Sequence, residues 1–357
     1  MKSRILLFAL AALVLTSCQE KASVSESSSY AYTVEILEGE TWWPGVIAHA
    51  HLFPLTRKSS YSFDFFGDNA GNQGQPLLIS NLGRYIWNEE PFAFTVDQGT
   101  ITCRCDLADF QTGKSGNTLK EVYLHCSSSF FPPSGLIPAP ELFTLAQFNT
   151  WIEFTYMQNQ EGIMEYARQI IRQGFEPGVL MIDEGWFKTY GDWEFHEGRF
   201  PDPHGMMKEL KEMGFKLMLW MCPYYTPDGA FWKEQWLDYS QKGDTIWIVN
   251  AENPDFPAVM QWWDGFSNVI DLSNPKGKAW FKQQLDYLVE EYGVDGFKLD
   301  GGDAPHYSAA RYLTDFRSYK RDITPNGHSE LFNKIGLDYP FNEYRAAWKM
   351  GGQPIAM

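Results

Sequence analysis

Three short segments collect residues that could act on a polar substrate. Met181-Ile182-Asp183-Glu184-Gly185-Trp186 closes an apolar run with two carboxylates and an indole. Leu219-Trp220-Met221-Cys222-Pro223 closes a second, and Gly296-Phe297-Lys298-Leu299-Asp300-Gly301-Gly302-Asp303 a third. In a strand, alternation puts Lys298 and Asp300 on one side and Phe297 and Leu299 on the other. A lysine two residues from an aspartate keeps that carboxylate ionised, as a nucleophile requires. The glycines after Asp300 would leave room for a ligand near the backbone. The same pattern also fits a structural Lys-Asp ion pair followed by ordinary turn glycines, and on these residues alone the two readings stand side by side.

The elements that would position these residues alternate. From about residue 149 onward, apolar strands at Thr150–Met157, Gly178–Asp183, Phe215–Met221 and Val294–Asp300 are interleaved with amphipathic helices at Gln160–Gln173, Pro203–Met213 and from Pro275 to about Tyr292. Ser273-Asn274-Pro275 opens the last of these as a cap followed by an early proline. A short extra strand is expected at Asn268–Leu272, a helix at Ala309–Arg321 and a strand at Tyr344–Lys349. Repeated strand-helix units predict a parallel β/α barrel with its site at the carboxyl ends of the strands. About five core strands are found where a closed barrel has eight, so the barrel is expected to be incomplete in this chain. Residues 31–148 read differently, as short alternating runs broken by Gly, Asn and Pro, which predicts a β-sandwich. Val122–Cys126 is taken as one of its strands. His49-Ala50-His51 would place two imidazoles on one side of another, in a structural or pocket-lining role rather than as a metal site, since no acidic or histidine partner is near in sequence.

The 357 residues carry a formal net charge of -16, which opposes any polyanion, so nucleic acid is set aside as a partner. Aromatic residues reach 16%, with 14 Trp; most belong to cores, and some offer flat faces suited to sugar rings. Lys2 and Arg4 followed by the apolar run Ile5–Leu15 read as an export signal too short to span a bilayer. Its end, Leu15-Thr16-Ser17-Cys18, resembles a bacterial lipobox, which implies lipidation of Cys18 and an exported, membrane-anchored protein of the cell envelope, with residues 19–30 as a solvated tether. Of the remaining cysteines, Cys103 and Cys105 share a strand face opposite which Cys126 could sit; a bridge and buried free thiols are both compatible, and no pair has metal-ligand spacing.

Phe297-Lys298-Leu299-Asp300-Gly301-Gly302-Asp303 resembles the nucleophile motif of glycoside hydrolase family 31 in its Phe-Lys-x-Asp form. The similarity extends through Asn149–Glu153, Gly178–Asp183, Arg199–Pro203 and Gly214–Trp220. It implies a β-sandwich before a (β/α)8 TIM-type barrel and retaining hydrolysis of terminal α-linked glycosides, with no cofactor. Carried over by position, Asp300 would be the nucleophile and Asp183 would bind sugar hydroxyls. Lys298 and Trp220 would line the subsite, with Glu184, Trp186 and Asp303 as further pocket candidates. The Phe-Lys-x-Asp form is closer to α-xylosidases and α-galactosidases than to starch-type α-glucosidases. The family's acid/base aspartate, with an arginine and a histidine that contact substrate, is expected beyond a segment resembling Gly351–Pro354. Asp315, Asp322 and Glu343 match no acid position, and Asp303 lies too close to Asp300 along the chain. The 357 residues alone are therefore expected to fold poorly and turn over little. A sugar-binding surface lipoprotein without catalysis, and an interaction module built on the β-sandwich, are the competing readings.

Overall fold

The computed structural model describes residues 29–227, 229–234 and 245–357; the expected leader, Cys18 and tether residues 19–28 lie outside the described residues. The N-terminal region forms two antiparallel sheets. One runs in the order Tyr30–Glu35, Thr100–Cys105, Ala93–Asp97, Tyr61–Asp64, and the other in the order Trp42–Val46, Gln73–Ser80, Arg84–Trp87, Gln111–Lys114. Val96, Ile101 and Cys103 of the first share one apolar cluster with Trp42, Leu78 and Ile86 of the second. Alternation delivers these side chains inward, as the burial of every other residue in Ala93–Asp97 and Thr100–Cys105 shows.

Two N-terminal expectations are corrected. Val122–Cys126 lies within a helix, Leu119–Phe130, whose Val122 and Cys126 are one turn apart on the face packed against Leu77 and Trp87. Thr118 caps this helix by accepting from Glu121 N, and the Glu121 carboxylate accepts in return from the threonine hydroxyl and from Asn117 N, a variant of the capping box. His49 and His51 sit in a 3-10 segment, Ile47–Leu52, not on a strand. His49 Nδ1 lies 2.8 Å from Tyr61 OH, and no group of three potential ligands that could hold a metal occurs among the described residues. The four described cysteines are free and buried; Cys103 and Cys126 lie in different apolar clusters.

The second part is a parallel sheet of five strands in chain order: Gln147–Asn149, Val179–Ile182, Lys216–Met221, Gly296–Leu299 and Phe341–Tyr344. These are five adjacent strands of a barrel, a half-barrel among the described residues. The helices between them start where predicted, with Asn159, Asp202 and Asn274 each accepting from a backbone N–H of the first turn. Two strand expectations are corrected: the first strand is Gln147–Asn149 and includes none of Thr150–Met157, and the fifth is Phe341–Tyr344, with only the two-residue strand Ala347–Trp348 inside the expected Tyr344–Lys349. Asn149 Oδ1 accepts from Trp151 N at 2.7 Å and turns the chain into a helical turn, Trp151–Phe154. The helix expected at Ala309–Arg321 is absent. That stretch holds one 3-10 turn and the two-residue strand Phe316–Arg317, while the helix occupies Pro325–Ile335 behind its cap Thr324. Asn268 falls in an antiparallel strand, Gly265–Val269, outside the barrel.

The two parts interlock. Ala347–Trp348 adds a short parallel strand alongside the first two residues of Gln73–Ser80, and Trp348 enters the N-terminal cluster with its ring 5.5 Å from Phe65. Asn69 Oδ1 accepts from Ala304 N at 2.6 Å, and Asn326 Oδ1 from Gly67 N at 2.8 Å. The segment following Asp300 is therefore braced against the N-terminal sheets.

Candidate active site

The strand register places the polar residues side by side: Trp220 pairs with Lys298, and Lys298 with Glu343. Asp183 follows the second strand and Asp300 the fourth. Together with Glu184 and Asp303 they line an open cleft of about 500 Å3 at the carboxyl ends of the strands. This is where a parallel β/α sheet gathers its site. A larger cavity of about 570 Å3 lies elsewhere, against Trp43, Phe131 and Met350, and its lining holds no carboxylate, lysine, arginine or histidine. The smaller, charged cleft is therefore the one equipped for chemistry.

Asp183 is held by three donors. Asn149 Nδ2 and Lys298 Nζ donate to its Oδ2 at 2.7 and 2.8 Å, and Glu184 N donates to its Oδ1 at 2.8 Å. Asp300 is held as firmly: Trp220 Nε1 donates to Oδ2 at 3.0 Å, while Arg345 Nε and Gly301 N each donate to Oδ1 at 2.8 Å. A carboxylate offers about four acceptor positions, so each aspartate keeps about one for a ligand. On Asp300 that position belongs to Oδ2, whose partner among the described residues is Trp220. Burial alone would lower the Lys298 pKa, but Asp183 and Asp300 outweigh it and hold the ammonium above its ordinary range.

The remaining carboxylates are engaged. Asp303 pairs with Arg345, and burial raises its pKa against that cation. Glu184 is pushed up to about 9 by burial, with Asp264 adding to the shift and the Tyr190 hydroxyl opposing it. Burial also raises Glu343, against the pull of Lys298, and lowers His306. These shifts leave Glu184 protonated and His306 neutral near pH 7.

Of the residues read from sequence, Asp183, Glu184, Trp220, Lys298, Asp300 and Asp303 all line the cleft. Trp186 does not. It is fully buried among Phe187, Trp193 and Phe195, and its indole donates to Trp220 O at 3.0 Å, so it supports the strand carrying Trp220. Gly185, at φ +96, turns the chain between Glu184 and Trp186 and sends the indole away from the cleft in which the resemblance places it. The glycines after Asp300 also serve packing. A Cβ at Gly301 would lie 2.7 Å from the Tyr224 ring, and one at Gly302 would lie 2.0 Å from Phe332. Sequence reading missed Arg345, His306, Trp151, Tyr156 and Trp263, all of which line the cleft. An arginine was expected only beyond Gly351–Pro354; Arg345 lies one residue past the strand Phe341–Tyr344, where the chain bends, and lines the cleft.

Comparison with known proteins agrees with this architecture. The model of the glycosyl hydrolases family 31 TIM-barrel domain matches residues 139–350. Among curated proteins, the myogenesis-regulating glycosidase of Mus musculus is 26% identical over 213 residues, covering 58% of this chain and 29% of its own. Alpha-xylosidase XylQ of Lactiplantibacillus pentosus is 27% identical over 252 residues, covering 66% and 30%. The chain thus spans about three-tenths of the length of these relatives. Among solved structures, a Flavobacterium johnsoniae GH31 dextranase complexed with glucose superposes with a TM-score of 0.70 at 17% identity, over 91% of this chain and 41% of its own. A GH31 α-xylosidase from a soil metagenome complexed with xylose gives 0.70 at 19%, over 92% and 47%. At these identities the superpositions speak for the fold. With the family model matching more than half of its residues, the chain belongs to glycoside hydrolase family 31.

Proposed function

We propose that this protein hydrolyses terminal α-linked glycosides with retention, using Asp300 as nucleophile. The observation that carries the reading is Asp300 itself: nearly buried, held by Trp220, Arg345 and Gly301 N, and keeping an acceptor position on Oδ2 toward the cleft. In the first step Oδ2 attacks the anomeric carbon as the bond to the leaving oxygen breaks, and an acid supplies a proton to that oxygen. Water then adds at the same carbon and releases Asp300. Asp183 would accept from sugar hydroxyls through its remaining position, with Lys298 and Asn149 keeping it oriented. No residue of the chain is assigned as acid/base, because Asp303 is tied to Arg345 and Glu184 to Tyr190.

The names of the relatives favour xylosides and glucosides as substrates, and galactosides belong in the same screen. The two N-terminal sheets fit a β-sandwich, and residues 1–18 fit export and lipid attachment at Cys18. Radiolabelled palmitate incorporation that survives Cys18→Ala would remove the anchor from the reading. The test of catalysis is hydrolysis of aryl α-glycosides followed by NMR. The α anomer is expected first, and Asp300→Ala is expected to lower turnover roughly ten-thousandfold. Inversion, or an undiminished rate in the Asp300→Ala variant, would sink the reading. Engagement of the other cleft carboxylates favours one second reading, a sugar-binding protein without cleavage, which predicts saturable binding with no turnover.

A further inference from the structure

Between the third barrel strand and helix Pro275–Tyr292 the chain makes an antiparallel hairpin, Met260–Trp262 against Gly265–Val269, with Trp263 and Asp264 at its turn. Its root is fixed in the core. The Trp262 ring is buried 4.1 Å from Tyr224 and 5.1 Å from Tyr190, and its indole donates to Ser267 Oγ at 2.9 Å. The turn then reaches back to the mouth of the cleft, where barrel loops hold it from opposite sides.

On one side Asp264 accepts from Tyr156 OH and from Tyr190 OH, each at 2.8 Å, and the Tyr190 hydroxyl also meets Glu184. One phenol proton cannot serve two ionised carboxylates, so this bridge needs a second proton, and Glu184 is the group that holds it. On the other side the Trp263 ring lies 4.9 Å from the Arg345 guanidinium and 5.0 Å from the His306 ring. Arg345 in turn bonds Asp300. The indole is thus one residue removed from the nucleophile and stands at the open end of the cleft.

Trp263 is nevertheless 44% exposed, although the turn that carries it is braced on both sides. An exposed indole held rigidly beside a polar cleft presents a flat apolar face at little entropic cost, and the C–H face of a pyranose is its natural complement. We propose that Trp263 is a specificity-determining residue whose indole takes the leaving-group sugar, and that Glu184, Tyr190 and Asp264 are positioning residues that hold it over the cleft. The proposal rests on the glycoside-cleaving reading and narrows its substrates to those in which a second sugar follows the scissile bond.

The test is calorimetric titration of the native protein with sulfur-linked disaccharides, which resist cleavage, against the corresponding methyl α-glycosides, in gluco, xylo and galacto forms. The disaccharide is expected to bind about tenfold more tightly than the methyl glycoside. Trp263→Ala should abolish that difference while leaving methyl glycoside affinity within about twofold, and Trp263→Phe should keep most of it. Asp264→Ala should reduce the difference and Asp264→Asn partly restore it, since Asn retains an acceptor for Tyr156. Persistence of the difference in Trp263→Ala, equal weakening of both ligands, or equal affinities in the native protein would overturn the proposal alone. A native protein that binds no glycoside would overturn the glycosidase reading and this inference with it.

Discussion

Lys298→Met removes the ammonium that reaches Asp183 Oδ2 at 2.8 Å while keeping a side chain of similar length. The Asp183 side chain is 3% exposed, so its charge would stay buried with only Asn149 and the Glu184 N–H as donors. Breaking one partner from a buried pair costs about 3–5 kcal/mol. Lys298 is 17% exposed along its side chain, which admits some water, and two donors remain. We therefore expect a loss of about 2–4 kcal/mol in urea unfolding followed by fluorescence. Because the folded pKa of Lys298 is raised, the contribution of the pair is fully present below the ordinary lysine range and is lost only as pH rises through the folded value. The loss should therefore be constant from about pH 6 to 9. Adding Asp183→Asn removes the stranded charge and should recover roughly half of the loss, a coupling of at least ~1 kcal/mol. A loss below ~1 kcal/mol, or no coupling, would refute the view that Lys298 holds a buried carboxylate in place.

Glu184→Gln tests the shared-proton bridge. Burial raises the folded pKa of Glu184 to about 9, so the native state binds the extra proton between the ordinary carboxylate range and that value. The Glu184 contribution to stability should be fully present below that range and fall as pH rises toward the folded value, by at most ~1.4 kcal/mol per unit, and the Glu184→Gln substitution should remove this part of the slope; unchanged slopes in denaturant unfolding would count against the bridge. Trp186→Ala should cost about 3–5 kcal/mol through the cavity it leaves, with methyl glycoside affinity of the folded protein unchanged; weakened binding would place Trp186 at the ligand after all. Burial pushes the thiols of Cys103 and Cys126 up to about 12, so iodoacetamide at neutral pH should modify neither until denaturant is added, as read by peptide mass.

The half of the site that sits on strands was legible because alternation is a local rule. Lys298 and Asp300 must share a side, and the register then sets Trp220 and Glu343 beside Lys298. Arg345, at the bend one residue past Phe341–Tyr344, lies beyond the reach of that rule. Where a turn intervenes the rule lapses, and Gly185 sends Trp186 into the core instead of the cleft. Trp263 and Asp264 come from a hairpin whose partners, Tyr156, Tyr190 and Arg345, are distant in sequence, and no local pattern announces such contacts. The misread helices are different failures. Thr118-Leu119-Lys120-Glu121 and Thr324-Pro325 are start signals present in the sequence; β-rich surroundings mask the first, and the second is passed over when the helix is placed before it, at Ala309–Arg321.

The most direct test of the central claim is covalent trapping with 5-fluoro-α-glycosyl fluorides in gluco, xylo and galacto forms. Fluoride departs without protonation, so this step asks nothing of an acid/base residue and isolates the nucleophile. Peptide mass spectrometry of the inactivated protein should place one glycosyl group on Asp300, and Asp300→Asn should take up none. A label on any other carboxylate, or hydrolysis that proceeds with no carboxylate labelled, would contradict the assignment.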